Sequence, residues 1–423
     1  MTEKTLVHDH LFLMNTLAGR KEMFRPRQGR TVRLFTCGPS LYRRQHLGNY
    51  RSFVYEDVLE RYLELLGHDV RRVINFTDME DKGIAEARDT GKSLAEVVRP
   101  VEEAFYRECE LLKVRLSLPI PRATTSVESA VSLIKKLLDK KVAYRHQGDI
   151  FFDPLKYKGF GRLFGLDMSR WPARRKRFRK DTYPGQRWNL GDFILWHGYR
   201  ESDGDVFWET ELGKGRPSWN IQDAGMIAKH LGFAIDIHTG GVDNLYRHHD
   251  YTLAIMESAS GKTFCPTWLH GEHLLVQGVK MSKSKGNIVY PEDLFEKGYD
   301  PRHVRFFLMD GAHYRKKLDL SKESLLAEAG RLDALSELAG KLTRGANSSR
   351  TSSPRSETLV KAVGPTFRRH LNDDLNVRGA VDELLVTLKG LRKLDQAGEL
   401  NSEARETVRQ ELITVDQVLQ VIF

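Results

Sequence analysis

Thr31-Val32-Arg33-Leu34-Phe35-Thr36, followed at once by Cys37-Gly38-Pro39, carries the first structural signal in the chain. The run of β-branched and apolar residues predicts a buried strand, and the Gly38-Pro39 pair predicts a turn immediately after Cys37. Beyond it, Val54, Val58, Leu59, Tyr62, Leu63 and Leu66 recur at helical spacing, and Gly67 stops the run. The chain then returns as an apolar strand over residues 70–75. Strand, helix and strand in this order form a βαβ unit, so the fold class is expected to be α/β with a Rossmann-like parallel sheet.

Working outward, Ser93 with Glu96 and Thr125 with Glu128 fit capping boxes ahead of two amphipathic helices. Residues 150–152 and 234–237 read as short buried strands, and residues 170–187 are basic and irregular, as if inserted into the α/β core. After about residue 320 strand signals cease. Helical periodicity then appears near residues 322–342, 357–371, 377–394 and 402–421, and residues 345–354 have linker composition. The expected division is an α/β domain over residues 1–320, with an insertion over roughly 120–215, and a terminal helical domain over 321–423.

With 40% hydrophobic residues in 423, the chain can bury a full core. No stretch approaches the ~20 apolar residues of a membrane span, and no signal-peptide core precedes Lys4, His8 and His10. A cytoplasmic location without a membrane partner is the expectation. Cys37, Cys109 and Cys265 lie far apart, which argues against a disulfide framework, so any metal site must be assembled from distant segments. The net charge of +10 favours a polyanionic partner, either nucleic acid or a phosphorylated ligand.

Two short segments carry chemistry. His46-Leu47-Gly48-Asn49 stands between the first strand and a helix expected to begin near Tyr50, where free N–H groups and the helix dipole suit phosphate and Gly48 lets the backbone approach a nucleotide. Far along the chain, Lys280-Met281-Ser282-Lys283-Ser284-Lys285-Gly286-Asn287 follows a strand over residues 274–276 and offers ammonium and hydroxyl groups on a loop that can clamp a triphosphate. Attack of a carboxylate on an α-phosphate creates negative charge that such groups stabilise, with Mg²⁺ on the leaving pyrophosphate.

Together these segments resemble the two signatures of class I aminoacyl-tRNA synthetases. The resemblance narrows to cysteinyl-tRNA synthetases through residues 35–49, Asn75-Phe76-Thr77-Asp78-Met79-Glu80-Asp81-Lys82, residues 219–226, and residues 236–243 leading to His248-His249. It covers roughly residues 30 to 320 and continues, more weakly, to Asn372-Asp373-Asp374-Leu375-Asn376. It implies a class I synthetase catalytic domain with an inserted connective region and a C-terminal helical domain, forming an aminoacyl-adenylate from ATP and an amino acid. It places His46, Gly48, Asn49, Lys280, Met281, Ser282, Lys283 and Ser284 on ATP, with His46, Asn49, Lys280 and Lys283 catalytic. Cys37, Gly38, Thr77, Trp219, Asp223, His238, Asp243, His248 and Thr252 then belong to the amino-acid pocket. Each has an ordinary structural alternative: Trp219 as core, Asp243 as a loop cap, Thr77 as a strand-end hydroxyl, His238 as a turn residue.

The sequence also departs from that family. Cysteinyl-tRNA synthetases hold zinc through two cysteines, a histidine and a glutamate, and the metal binds the thiolate of substrate cysteine. Here Cys37 and His248 stand at two ligand positions, but Asp223 replaces the second cysteine and Thr252 the glutamate. Stoichiometric zinc and cysteine specificity are therefore not expected, although Cys37, Asp223 and His248 remain a three-ligand possibility. Arg43 stands where the family usually carries an acid. The length resembles mycothiol ligase, a relative that acylates an amino sugar, so the acceptor is expected to be a small molecule, a carrier or peptide, or a tRNA stem met by the basic run over residues 174–180. A shortened cysteinyl-tRNA synthetase and a non-catalytic RNA-binding paralogue are the alternatives.

Overall fold

A computed structural model describes residues 10–168, 191–344 and 351–423, with only the backbone of Lys283. Its centre is a four-stranded parallel sheet in the order Thr267–Gly271, Ile237–Gly241, Thr31–Thr36, Asp69–Ile74. Val32, Leu34 and Phe35 are fully buried, as expected for a strand covered on both faces. From the first strand the chain crosses through the helix Leu47–Leu65 to the strand Asp69–Ile74 on one side, while Ile237–Gly241 lies on the other. Chain direction around the sheet reverses at this point, and a crevice opens beyond the carboxyl ends of Thr31–Thr36 and Ile237–Gly241.

Three local expectations shift for identifiable reasons. The helix begins at Leu47 rather than near Tyr50, because His46 adopts extended backbone and the Asn49 amide oxygen accepts the His46 N–H at 3.1 Å. The strand expected over 234–237 instead runs Ile237–Gly241. Just before it, Asp236 donates its N–H to the Arg33 carbonyl at 2.9 Å while its carboxylate accepts the backbone N–H groups of Arg27 at 2.6 Å and Arg33 at 2.7 Å. The glycines that read as a turn belong to the strand, where they pair in parallel with His270 and Gly271, and a Cβ on Gly240 would come within 2.6 Å of the His249 ring. The Ser93–Glu96 capping box forms. That at Thr125 does not: its hydroxyl turns to the Arg122 carbonyl, and a 3-10 turn, Thr124–Ser126, leads into the helix Val127–Asp139.

A five-stranded antiparallel sheet, ordered Ala143–His146, Asp149–Phe152, Phe193–Gly198, Gly213–Pro217, Trp208–Thr210, packs against the helix Trp219–His230. The basic run over residues 174–180 lies outside the described residues. Four helices, Lys322–Arg344, Pro354–Leu371, Val377–Gln396 and Ser402–Leu419, complete the chain. Their apolar faces belong to one cluster with the helix Leu47–Leu65. Arg305, fully buried, fastens the two regions by donating to Asp57 at 2.6 Å and to the Leu419 carbonyl at 2.8 Å. Among the described residues, no helix is long and apolar enough to cross a membrane.

Candidate active site

The crevice is a cleft of about 470 Å³ with His46, Gly48, Asn49, Lys280, Met281 and Ser282 at one end and Cys37, Gly38, Thr77, Trp219 and His248 at the other. At the first end, the Asn49 side chain accepts the His46 N–H at 3.1 Å and the Asn49 N–H donates to the His46 carbonyl at 2.8 Å, so Asn49 is committed to the start of the helix. Burial pulls the His46 imidazole below its ordinary pKa, and its Nδ1 is buried without a partner. It is therefore a neutral donor or acceptor at pH 7. Gly48 is required by closeness: a Cβ there would lie 3.0 Å from the His46 ring and 3.4 Å from the Met281 methyl.

The second signature is tied mechanically to the first. The Leu47 N–H donates to the Val289 carbonyl at 2.8 Å, Met281 is buried, and Asn287 closes the loop by accepting the Ser282 N–H at 2.9 Å. The Ser284 hydroxyl lies 3.3 Å from that of Ser282 and does not line the cleft. Lys283 opens the 3-10 turn Lys283–Lys285. Lys280 rests on Asp243, at 2.7 and 2.8 Å from its two oxygens, and His273 meets the same carboxylate at 2.9 Å. Burial would raise the Asp243 carboxyl, but the hydrogen bonds from Lys280 and His273 outweigh it and hold the group below the usual range.

At the other end, sequence-distant groups meet. Cys37 Sγ lies 3.6 Å from Asp223 Oδ2 and 3.6 Å from His248 Nε2, and those two atoms are 2.9 Å apart. Asn75 Nδ2 donates to the other Asp223 oxygen at 3.0 Å, and Asn244 Nδ2 points at Cys37 Sγ from 3.5 Å. Trp219 stacks on His248 with centroids 4.0 Å apart. Burial, then the Asp223 carboxylate, pushes the Cys37 thiol well above its ordinary pKa. Thr252 does not face the cleft: its hydroxyl donates at 3.0 Å to the carbonyl of His248, in the turn that precedes the helix Asp250–Ser260.

Gly38 holds the floor together by donating its N–H to Asn75 Oδ1 at 2.9 Å, and a Cβ on it would fall 1.8 Å from the Asn75 carbonyl oxygen. Gly38→Ala is therefore expected to cost roughly 1–3 kcal/mol of stability, read by urea unfolding; an unchanged midpoint would contradict this packing.

His238 lies behind the cleft rather than in it. It is fully buried, stacked on Trp268 at 4.3 Å and edge-on to His249 at 4.5 Å. His249 in turn meets His270 at 2.8 Å. Burial takes all three imidazoles well below the ordinary value, His270 to about 3. Between about pH 6.5 and 3 the unfolded chain thus binds a proton at His270 that the folded chain does not, so this contribution is whole above pH 6.5 and declines as pH falls. His270→Gln should lose on the order of 2 kcal/mol less stability than wild type between pH 7 and pH 5. Equal losses in chemical unfolding at the two pH values would contradict a neutral His270.

Residues 23–330 match the family described as tRNA synthetases class I (C) catalytic domain. A cysteine–tRNA ligase of Chlamydia pneumoniae is 36% identical over 97% of this chain and 86% of its own length, and that of Brachyspira hyodysenteriae is 35% identical over 89% and 79%. The chain belongs to the cysteine–tRNA ligase family of class I synthetases. Like its relatives it is a ligase of the aminoacyl-tRNA synthetase type. The fold is shared with Mycobacterium tuberculosis methionyl-tRNA synthetase solved with methionyl-adenylate, at a TM-score of 0.66 and 16% identity over 93% of this chain and 90% of that one. A putative arginyl synthetase of Campylobacter jejuni gives 0.61 at 10% identity, covering 94% of each chain.

Within this family cleft, sequence reading did not assign roles to Asn75, Asn244, His273 or Asn287. Asn75 stood in a quoted motif at the end of a predicted strand, but its bridge from Gly38 to Asp223 depends on a partner 148 residues away.

Proposed function

We propose that this chain activates an amino acid as its adenylate with ATP and Mg²⁺, and that Asp223 and His248 select a short side chain bearing a cation or hydrogen-bond donors in preference to cysteine. The observation that carries the specificity is the Asp223 carboxylate, 1% exposed, which does not itself line the cleft but stands directly behind Cys37 and His248, which do, at the position where the family presents a second thiolate. Asp223 already accepts from Asn75 and meets His248, and its negative charge behind the cleft wall favours a substrate side chain that is cationic or donates toward the His248–Asp223 pair. A thiol is a poor donor and gains little.

For the adenylation step, the substrate carboxylate oxygen attacks the α-phosphorus and the bond to pyrophosphate breaks. His46 and Gly48, at the start of the helix Leu47–Leu65, are the groups proposed to meet the phosphates, with the helix dipole adding to their field. Lys280, moving from Asp243 to the triphosphate, would neutralise the leaving group and free Asp243 to accept from the nucleotide. Bound Mg²⁺ supplies further charge neutralisation on pyrophosphate. The Trp219 face and Thr77 wall the amino-acid end.

The relatives are named for tRNA, so a tRNA end is the first acceptor to test; a small amine is the second. Arg43 lines the cleft with its guanidinium 4.8 Å from the Tyr42 ring centre. A cation there favours an anionic acceptor. Incubating the protein with ATP, pyrophosphatase and an equimolar amino-acid mixture that includes 2,3-diaminopropionate, then identifying aminoacyl-AMP by mass spectrometry, tests the selection. A polar or amine-bearing adenylate is expected to dominate. Dominant cysteinyl-AMP would overturn it.

The spacing of the donors favours a second reading. Ligand atoms of a tetrahedral zinc lie roughly 3.3–3.6 Å apart, given bonds of about 2.0–2.3 Å; Cys37 stands 3.6 Å from both Asp223 and His248, while Asp223 and His248, hydrogen-bonded at 2.9 Å, would separate by a few tenths of an ångström around an ion. These residues fit a three-ligand ion, which when bound would offer the substrate side chain a Lewis-acidic contact. Carboxylate in place of thiolate makes the ligand set harder, which again moves preference from sulfur toward nitrogen or oxygen. Metal analysis of protein purified without chelator separates the two readings.

A further inference from the structure

The Asn372-Asp373-Asp374-Leu375-Asn376 turn has no part in the cleft, yet its geometry is costly. Asp374 and Leu375 both hold left-handed backbone, at φ 63° and 56°, a conformation that side-chain-bearing residues rarely adopt. Asp374 is 1% exposed and gathers four donors. The Met14 N–H donates at 2.8 Å, the Tyr314 hydroxyl at 2.7 Å and Arg315 Nε at 2.5 Å to its carboxylate, and His313 Nε2 donates to its carbonyl at 2.7 Å.

Three of these donors lie in one short turn over residues 313–316, and that turn is wired to the catalytic cleft. Arg51, on the helix that begins the nucleotide end, spans the gap by donating to the His313 carbonyl at 3.0 Å and the His273 carbonyl at 2.8 Å. The Glu272 N–H donates to the Tyr314 carbonyl at 2.8 Å. Tyr314 stacks on Tyr55 at 4.9 Å, whose hydroxyl donates to the Gly240 carbonyl at 2.9 Å. His273 then meets Asp243, on which Lys280 rests.

We propose that Asp374 is a positioning residue that clamps the 313–316 turn onto Arg51 and Glu272-His273 and so sets where the His273–Asp243–Lys280 contact stands in the cleft. The terminal helices act on adenylation through this clamp. The catalytic consequence rests on the adenylation reading above, whereas the clamp itself does not.

The test uses the full chain. Asp374→Asn keeps the volume and removes the charge that holds Arg315; Tyr314→Phe removes one link with less risk to folding. Both are expected to raise amide hydrogen exchange across residues 270–282 by tenfold or more, with the helices 377–396 and 402–419 unchanged. In amino-acid-dependent pyrophosphate exchange, kcat should fall about tenfold while KM for the amino acid moves less than about threefold. Adding Asp374→Asn to Lys280→Ala should cost no further rate, because the two act in series. Faster amide exchange confined to residues 370–376 and 313–316, or full additivity with Lys280→Ala, would overturn the proposal. The amide-exchange arm decides the clamp even if no amino acid supports pyrophosphate exchange, so its failure is distinct from failure of the adenylation reading.

Discussion

Lys280→Ala is expected to lower kcat for amino-acid-dependent pyrophosphate exchange by about 10²–10³-fold, with KM for the amino acid changed by less than about threefold. In the resting arrangement the Lys280 ammonium neutralises Asp243, which the family likeness placed in the amino-acid pocket but which here is bonded to Lys280 and His273 at the nucleotide end of the cleft. The Lys280 charge gains value only when negative charge builds on the leaving pyrophosphate, so its removal weakens the transition state far more than either ground-state complex. Lys283→Ala is expected to act in the same direction. Loss of affinity for the amino acid at unchanged kcat would assign Lys280 to the pocket instead, and an unchanged rate would remove it from the reaction.

The second large effect is a gain. Asp223→Cys combined with Thr252→Glu returns the two missing family ligand types at positions 223 and 252, the longer glutamate being needed to reach past the His248 backbone toward Cys37 and His248. Cys37 Sγ and His248 Nε2 already stand 3.6 Å apart, and Asn75 and Trp219 already orient the neighbouring groups. The doubly substituted chain is expected to purify with close to one zinc and to raise cysteine-dependent exchange on the order of 10²-fold, because the soft ion then rewards a thiolate that serine cannot supply. Zinc uptake without any gain for cysteine would place selectivity elsewhere in the cleft. Asp223→Cys alone should give a smaller gain, since Thr252 turns its hydroxyl onto the His248 carbonyl and supplies no fourth donor.

Much of this was legible in the sequence because it is local. The strand Thr31–Thr36, the turn at Gly38 and the long helix announce themselves by periodicity and by punctuation, whereas the His46–Asn49 contact that starts the helix ahead of Tyr50 was not read. The meeting of Cys37, Asp223 and His248 was reached through family likeness, since those positions are 186 and 211 residues from Cys37 and no spacing rule relates them. What escaped was set by packing. Gly240 and Gly241, beside the His238 read as a turn residue, pair in parallel with His270 and Gly271 as strand, and the His249 ring leaves no room for a Cβ at Gly240. His238 was assigned to the pocket by its motif, whereas its ring turns the other way, onto Trp268. The Asp374 clamp joins residues 14, 313, 314 and 315, none of which carries a pattern of its own.

The central claim is that this cleft makes an adenylate but no longer selects for a thiol. Pyrophosphate exchange measured with cysteine, serine and 2,3-diaminopropionate on one preparation, with its metal content determined, tests that claim most directly. Exchange dependent on an amino acid, with kcat/KM for 2,3-diaminopropionate or another donor-bearing side chain above that for cysteine, is the predicted result. Near one zinc per chain together with cysteine preferred over serine by 10²-fold or more would show that Asp223 still serves a thiolate-sensing metal, and would contradict it.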